Sequence, residues 1–301
     1  MNKNIDIIAN RLAVYNPDTN EIRFQAIQEI TQEIILASLA ETSFFNNAIF
    51  IGGTALRILY GLDRYSEDLD FHVVKKDTGF QWKSYLAMVK EKTIPYGYYL
   101  KTEDKSKPAD IEKRAYITDK SICQKLKVNG PDENATTEVS IKLEYNSDPP
   151  TGCKIITRTL NYPISCVIKT MDLPSLFAGK CHALLCRNRE KGRDWYDFLW
   201  LNTKNIEPNY NYLSSALNRR GPWEGRGIKA DRNWLEKAVS AKINTLNIDA
   251  IKRDVIGFVS NLQKENVARW NKDILLSSVD TFHKNCLKRD KEKSRDDDFG
   301  R

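Results

Sequence analysis

Apolar residues recur along this chain in two rhythms. Between Phe24 and Phe45 the spacing is helical, with Ile27, Ile30, Ile34, Leu36, Leu39 and Ala40 returning every three or four residues. The run Ala48-Ile49-Phe50-Ile51 is too short for a helix and breaks at Gly52-Gly53, which predicts a buried strand running into a turn. A short helix over 54–60, a strand over 69–74 and a helix over 80–93 follow. Residues 104–130 carry only a weak β pattern. The clearest alternation spans 138–145, where Val139, Ile141, Leu143 and Tyr145 share one face and Glu138, Ser140, Lys142 and Glu144 the other. The apolar face belongs on a core, and the polar face borders water or a cleft.

Past Pro163 the character changes. Helical spacing governs 173–190, 195–201, 210–217, 234–246, 248–262 and 273–287. A boundary near residue 170 therefore separates an α+β module over 1–170 from a helical module over 171–301. From about residue 285 the chain is dense in charge and poor in apolar residues, the composition of a fraying helix end and a solvated tail.

Composition narrows the class. Hydrophobic residues at 41% are enough to build a core, and the 29% charged are too mixed in sign for a disordered chain. The net charge of +7 suits a nucleotide or nucleic-acid partner without demanding one, because 40 acidic residues are interspersed among 47 basic ones. The six cysteines lack zinc-site spacing and read as reduced, buried thiols. No apolar run approaches the roughly 18–20 residues of a membrane span, and the N-terminus lacks a signal-peptide core. These features predict a cytoplasmic protein without membrane contact.

The candidate chemistry sits in Ile51-Gly52-Gly53-Thr54-Ala55-Leu56-Arg57 and Arg64-Tyr65-Ser66-Glu67-Asp68-Leu69-Asp70-Phe71. Gly52 and Gly53 permit close backbone approach where a strand turns into a helix. The helix start offers backbone N–H groups and the positive end of a dipole, which suits phosphate. Ser66 adds a hydroxyl, and Arg57, one turn on, either reaches phosphate or pairs with an acid. Asp68 and Asp70, two apart at a strand start, point to one side and present hard oxygen ligands suited to Mg²⁺. An isolated Asp-x-Asp reads more readily as ordinary loop acids than as a metal site. The informative feature is the ordered set of apolar strand, Gly-Gly, helix, Ser-x-Asp-x-Asp and apolar strand.

This motif pair resembles the polymerase β-like nucleotidyltransferases, and within them it is similar to the AbiEii/AbiGii toxin family of bacterial abortive-infection and toxin–antitoxin systems. The resemblance covers about residues 45–200. It implies an N-terminal nucleotidyltransferase domain with a mixed sheet and a C-terminal helical bundle completing the active-site cleft. It also implies a transferase that moves a nucleoside monophosphate from a nucleoside triphosphate to an acceptor hydroxyl, with Mg²⁺ (or Mn²⁺) as cofactor. Transfer RNA is the leading acceptor. A protein hydroxyl, or a non-catalytic nucleotide- or RNA-binding role on the same fold, is the alternative. A cognate antitoxin is a further partner.

The resemblance assigns roles residue by residue. Asp68 and Asp70 hold metal, and Glu144 completes the metal site or acts as base, unless it is simply an exposed strand acid. Gly52, Gly53, Thr54, Arg57, Ser66, Lys142, Lys180 and Arg187 contact the nucleotide. Ala178-Gly179-Lys180-Cys181-His182-Ala183-Leu184 and Arg193-Asp194-Trp195-Tyr196-Asp197-Phe198 resemble the family's lysine helix and its Arg-Asp-x-Tyr-Asp signature. Lys180 lies on an apolar stripe, so it must meet an anion or snorkel to water. Asp194 shares a helix face with Asp197 and either serves the active site, orienting Lys180 or Arg187, or forms a structural ion pair. Trp195, Tyr196 and Phe198 read as core, and His72 and His182 as structural histidines. Arg219, Arg220, Arg226, Lys229 and Arg232 crowd a loop-like stretch that either binds RNA phosphates or is merely solvated.

Overall fold

A computed structural model describes residues 3–77, 79–128, 137–204 and 206–299. The chain divides into two compact units, residues 1–149 with 155–171, and residues 150–154 with 172–301.

The first unit contains α1 (Lys3–Val14), α2 (Asn20–Ala40), α3 (Phe44–Asn47), β1 (Ala48–Ile51), α4 (Gly52–Tyr60), β2 (Leu69–Val73), α5 (Lys83–Thr93), β3 (Lys101–Asp104), β4 (Glu112–Asp119), α6 (Ser121–Leu126), β5 (Val139–Asn146), β6 (Ile155–Leu160) and β7 (Cys166–Met171). Its strands form one seven-stranded sheet in the order β3-β4-β5-β2-β1-β7-β6 among the described residues. The sheet is mixed. β2 runs parallel to β5 and β1 parallel to β7, while the other neighbours are antiparallel.

The alternation in β5 is realised. Val139, Ile141, Leu143 and Tyr145 are buried, and Lys142, Glu144 and Asn146 are half-buried on the other face. β2 follows suit, burying Leu69, Phe71 and Val73 and turning Asp70 and His72 the other way. The buried side chains join α2, α5 and an aromatic cluster in which Phe44 packs against Phe71, Trp82 and Tyr85. Two-sided alternation is what a sheet covered on one face requires.

Several elements depart from the sequence pattern. α1 has no counterpart in it, and α2 begins at Asn20, where Thr19 caps the first turn through its side chain. The apolar stripe of α2 does not mark its only buried side, because Glu29, Gln32 and Glu33 are buried as well. The covering element is α1: Ile8 and Leu12 are buried, Arg11 reaches Glu33, and Tyr15 donates to Glu29. The weak β region resolves into β4 and α6, with residues 129 and 130 outside the described set. β6 and β7 add two strands that the pattern past residue 145 did not suggest.

The second unit is helical: α7 (Leu173–Cys186), α8 (Gly192–Asn202), α9 (Tyr210–Arg219), α10 (Arg232–Thr245), α11 (Ile248–Val255), α12 (Asn261–Ala268) and α13 (Lys272–Phe299). Side-chain caps start most of these helices. Asp172, Asn209, Asp231, Asn247 and Ser260 each accept a first-turn backbone N–H. The helix expected over 248–262 is instead α11, a 3₁₀ turn and α12, because Ser260 opens a new helix there. No helix among the described residues is long and apolar enough to cross a membrane. The six cysteines are free thiols. Cys123, Cys181 and Cys286 are buried, whereas Cys153, Cys166 and Cys186 are only half-buried.

Candidate active site

β1 ends at Ile51 and α4 begins at once with Gly52, without a side-chain cap on its first turn. Gly52 adopts φ +84°, and a Cβ there would lie 2.3 Å from Asp70 Oδ2. A Cβ on Gly53 would meet Arg64 Nη2 at 2.7 Å and Ser66 Oγ at 3.0 Å. The two glycines thus let the start of α4 lie directly against the Asp70 carboxylate and the Ser66 hydroxyl. Backbone N–H groups, a hydroxyl and a carboxylate converge at one helix N-terminus, where anion binding is favoured.

Strand register supplies the neighbours. Asp70 pairs with Ile51 of β1 on one side and with Glu144 of β5 on the other. Lys142 Nζ lies 2.6 Å from Glu144 Oε1 and 4.0 Å from Asp68 Oδ2. Arg114 of β4 holds the same Glu144 oxygen at 3.0 Å and Glu112 at 2.7 Å. Burial works against the charge on Lys142. The Glu144 hydrogen bond and the charges of Asp68, Glu144 and Asp70 outweigh it and raise the ammonium pKa.

Among the described residues no three acidic, histidine or cysteine side chains converge closely enough to hold a metal by themselves. Glu144 therefore stands beside the Asp68/Asp70 pair as a partner of Lys142 and Arg114, not gathered with it into a ready triad. The donor chemistry still fits a hard divalent cation, which takes one or two carboxylates and completes its shell with water and phosphate oxygens. Asp68 and Asp70 are the residues that would hold it.

Not every expected contact faces this carboxylate group. Arg57 Nε pairs with Glu29 at 2.8 Å, its Nη1 donates to the Leu62 carbonyl at 3.0 Å, and its guanidinium lies 4.6 Å over the Tyr65 ring. The Thr54 hydroxyl donates to the Asp68 carbonyl and is fully buried. Burial pushes the His72 pKa down to about 4, with Glu112 opposing.

In the second unit Lys180 of α7 meets α8. Its Nζ is 2.7 Å from Asp197 Oδ2 and 3.4 Å from Asp194 Oδ1, and Arg187 Nε is 3.2 Å from Asp194 Oδ2. Asp197, fully buried, is the nearer partner, although the sequence motif drew attention to Asp194. Their spacing of three, which puts both on one helix face, was the available signal. Trp195, Tyr196 and Phe198 are buried. His182 Nε2 lies 3.2 Å from the Arg220 carbonyl oxygen, and burial lowers the imidazole pKa. Arg219, Arg220, Arg226 and Lys229 are exposed, and Arg232 pairs with Glu207.

Gln32 and Arg114 also shape the site, and the sequence pattern singled out neither, because a glutamine in a helical stretch or an arginine in a weak β stretch carries no motif of its own; Arg64 stood in the motif stretch without a role.

Comparison with known proteins bears on the family and the fold. The family model described as nucleotidyl transferase AbiEii toxin, type IV TA system, matches residues 34–281. No curated protein sequence matches significantly. The fold is similar to that of JHP933 from Helicobacter pylori, at 19% identity and a TM-score of 0.53, covering 90% of this chain and 97% of that one. It is also similar to a candidate nucleotidyltransferase from H. pylori, at 20% identity and a TM-score of 0.51, covering 87% and 95%. MenT4, a nucleotidyltransferase toxin from Mycobacterium tuberculosis, aligns at 14% identity and a TM-score of 0.49, over 91% and 98%. With the family model spanning most of its length, the chain belongs to the AbiEii nucleotidyltransferase toxins of type IV toxin–antitoxin systems.

Proposed function

We propose that the chain transfers a nucleoside monophosphate from a nucleoside triphosphate to a hydroxyl of transfer RNA, using Mg²⁺ (or Mn²⁺) held by Asp68 and Asp70. The observation that carries this is the meeting of Gly52, Gly53, Ser66 and Asp70 at the start of α4, with Lys142 and Glu144 alongside. In the reaction the acceptor hydroxyl gives its proton to Glu144 or to solvent as its oxygen bonds to the α-phosphorus, the bond from that phosphorus to the bridging oxygen breaks, and pyrophosphate leaves.

The chain's own groups do the positioning. The glycine backbone lets phosphate oxygens approach the N–H groups of α4. The Ser66 hydroxyl donates to the same oxygens. Lys142, kept charged by Glu144 and Asp68, adds a compact cation, and Arg114 keeps Glu144 turned toward it. A divalent ion at Asp68 and Asp70 would supply charge neutralisation and activation of the acceptor hydroxyl. In the second unit Lys180 and Arg187, set by Asp194 and Asp197, are candidate anion-binding groups in their own right. The exposed cations Arg219, Arg220, Arg226 and Lys229 suit a polyanionic acceptor. A cognate antitoxin is the regulatory partner that the family implies.

The test is incubation with each α-labelled nucleoside triphosphate, Mg²⁺ and total transfer RNA, followed by electrophoresis. Label on RNA that disappears with chelator and in Asp70→Asn supports the reading. Label on protein alone transfers the proposal to a protein hydroxyl, and label nowhere refutes it.

A further inference from the structure

The segment from Leu62 to Asp68 carries Ser66 and Asp68 yet belongs to no helix or strand. Its backbone groups must therefore find partners outside a regular ladder. Four successive carbonyls do so through side chains. Arg64 Nη1 donates to the Tyr65 carbonyl at 2.8 Å. Gln32 Nε2 donates to the Ser66 carbonyl at 2.9 Å and to the Glu67 carbonyl at 2.8 Å. Thr54 donates to the Asp68 carbonyl. Gln32 and Thr54 are fully buried, and Arg64 is 2% exposed.

Gln32 is the central tie. It spends both N–H groups of its carboxamide on the two carbonyls that immediately precede Asp68. It reaches them from α2, the helix that packs on the sheet. Carbonyls held in sequence leave the peptide planes little freedom, so the direction in which Asp68 leaves the backbone is set by α2 and α4. Gln32 lies just outside the residues matched by the family model.

We propose that Gln32 is a positioning residue for Asp68, holding its carboxylate where a divalent cation and the triphosphate meet. This rests on the metal-dependent reading above. Groups that orient metal ligands without touching the metal typically cost about 10–100-fold in metal affinity or activity when removed.

The experiment compares the full chain with Gln32→Met, which keeps the length and volume but has no donor. Ile35→Val, a buried core change on the same helix, serves as the control. Mn²⁺ binding is measured by electron paramagnetic resonance, nucleotidyl transfer by kcat and KM, and folding by thermal unfolding. Expected for Gln32→Met are Mn²⁺ affinity and kcat each lower by about tenfold or more, with KM for the nucleotide changed far less. Ile35→Val should lose thermal stability while retaining both. Should Gln32→Met fail to fold, Gln32→Asn, whose amide is one methylene short of the carbonyls, takes its place with the same expectation. Wild-type Mn²⁺ affinity and kcat in the folded variant overturn the proposal for Gln32 alone. A wild-type chain that neither binds Mn²⁺ nor transfers a nucleotide overturns the metal reading, and the Gln32 proposal with it.

Discussion

Replacing Gly52 by alanine separates two costs that usually travel together. The first is conformational. At φ +84° an L residue is strained by roughly 1–2 kcal/mol. The second is steric and local. The new Cβ would sit 2.3 Å from Asp70 Oδ2 and 3.2 Å from the Asp70 Cβ and Cγ. Relief comes from the side chain moving, so the carboxylate must retreat by roughly an ångström, a displacement that typically costs about a hundredfold in rate. Gly61→Ala isolates the first cost, since Gly61 has φ +76° and nothing within 4 Å of a built Cβ. Both variants should melt a few degrees below wild type, about 2–4 °C per kcal/mol for a chain of this size. Only Gly52→Ala should lose about a hundredfold in kcat for nucleotidyl transfer. A Gly52→Ala variant with the melting loss of Gly61→Ala and wild-type turnover would refute the argument that the glycine exists to make room for Asp70.

Two other perturbations address the supports of each unit. Burial outweighs the Arg11 pairing and raises the Glu33 carboxyl from 4.5 to about 7. The folded chain thus holds this proton more tightly than the unfolded chain. The associated stability, on the order of 3 kcal/mol, is present below about pH 4.5 and lost as pH rises through 7. Urea unfolding across that window should show a decline in the wild type that is smaller in Glu33→Gln, and identical profiles would contradict it. In the second unit, Asp197→Ala strips the half-buried Lys180 of its nearest partner and should destabilise the fold by about 3 kcal/mol. Denaturant titration showing a loss under about 1 kcal/mol would mean that Lys180 is satisfied elsewhere.

What the sequence made legible was what repeats or what is chemically dense. β5 was readable because every second residue from Val139 to Tyr145 is apolar, and β1 and the start of α4 because Gly-Gly interrupts an apolar run. The proximity of Asp70 to Glu144 was readable only as two polar faces. The register that sets them opposite one another, and the Arg114 that occupies Glu144, arise from pairing between distant strands. β6 escaped because four of its six residues, Ile155, Thr157, Arg158 and Thr159, are exposed, so no alternation announces it.

The polar residues of α2 break the local pattern most clearly, and their placement explains why. A helix whose Glu29, Gln32 and Glu33 are all buried is a poor amphipathic helix judged alone. Burying such groups is tolerable only when each finds a partner. Nearly all do: Arg57 and Tyr15 meet Glu29, Gln32 Nε2 donates to the Ser66 and Glu67 carbonyls, and Arg11 meets Glu33, while Gln32 Oε1 is buried without a hydrogen-bond partner. Two of these three tie α2 to α4 or to the loop bearing Ser66 and Asp68, and α1 closes over the remainder. The core helix is thus polar where it must grip the motif segments and apolar where it must only fill space. Leucine at position 32 would fill the space but leave the Ser66 and Glu67 carbonyls without these donors. The glutamine retained there, at the cost of burying an amide, is intelligible as a constraint imposed by the direction of Asp68.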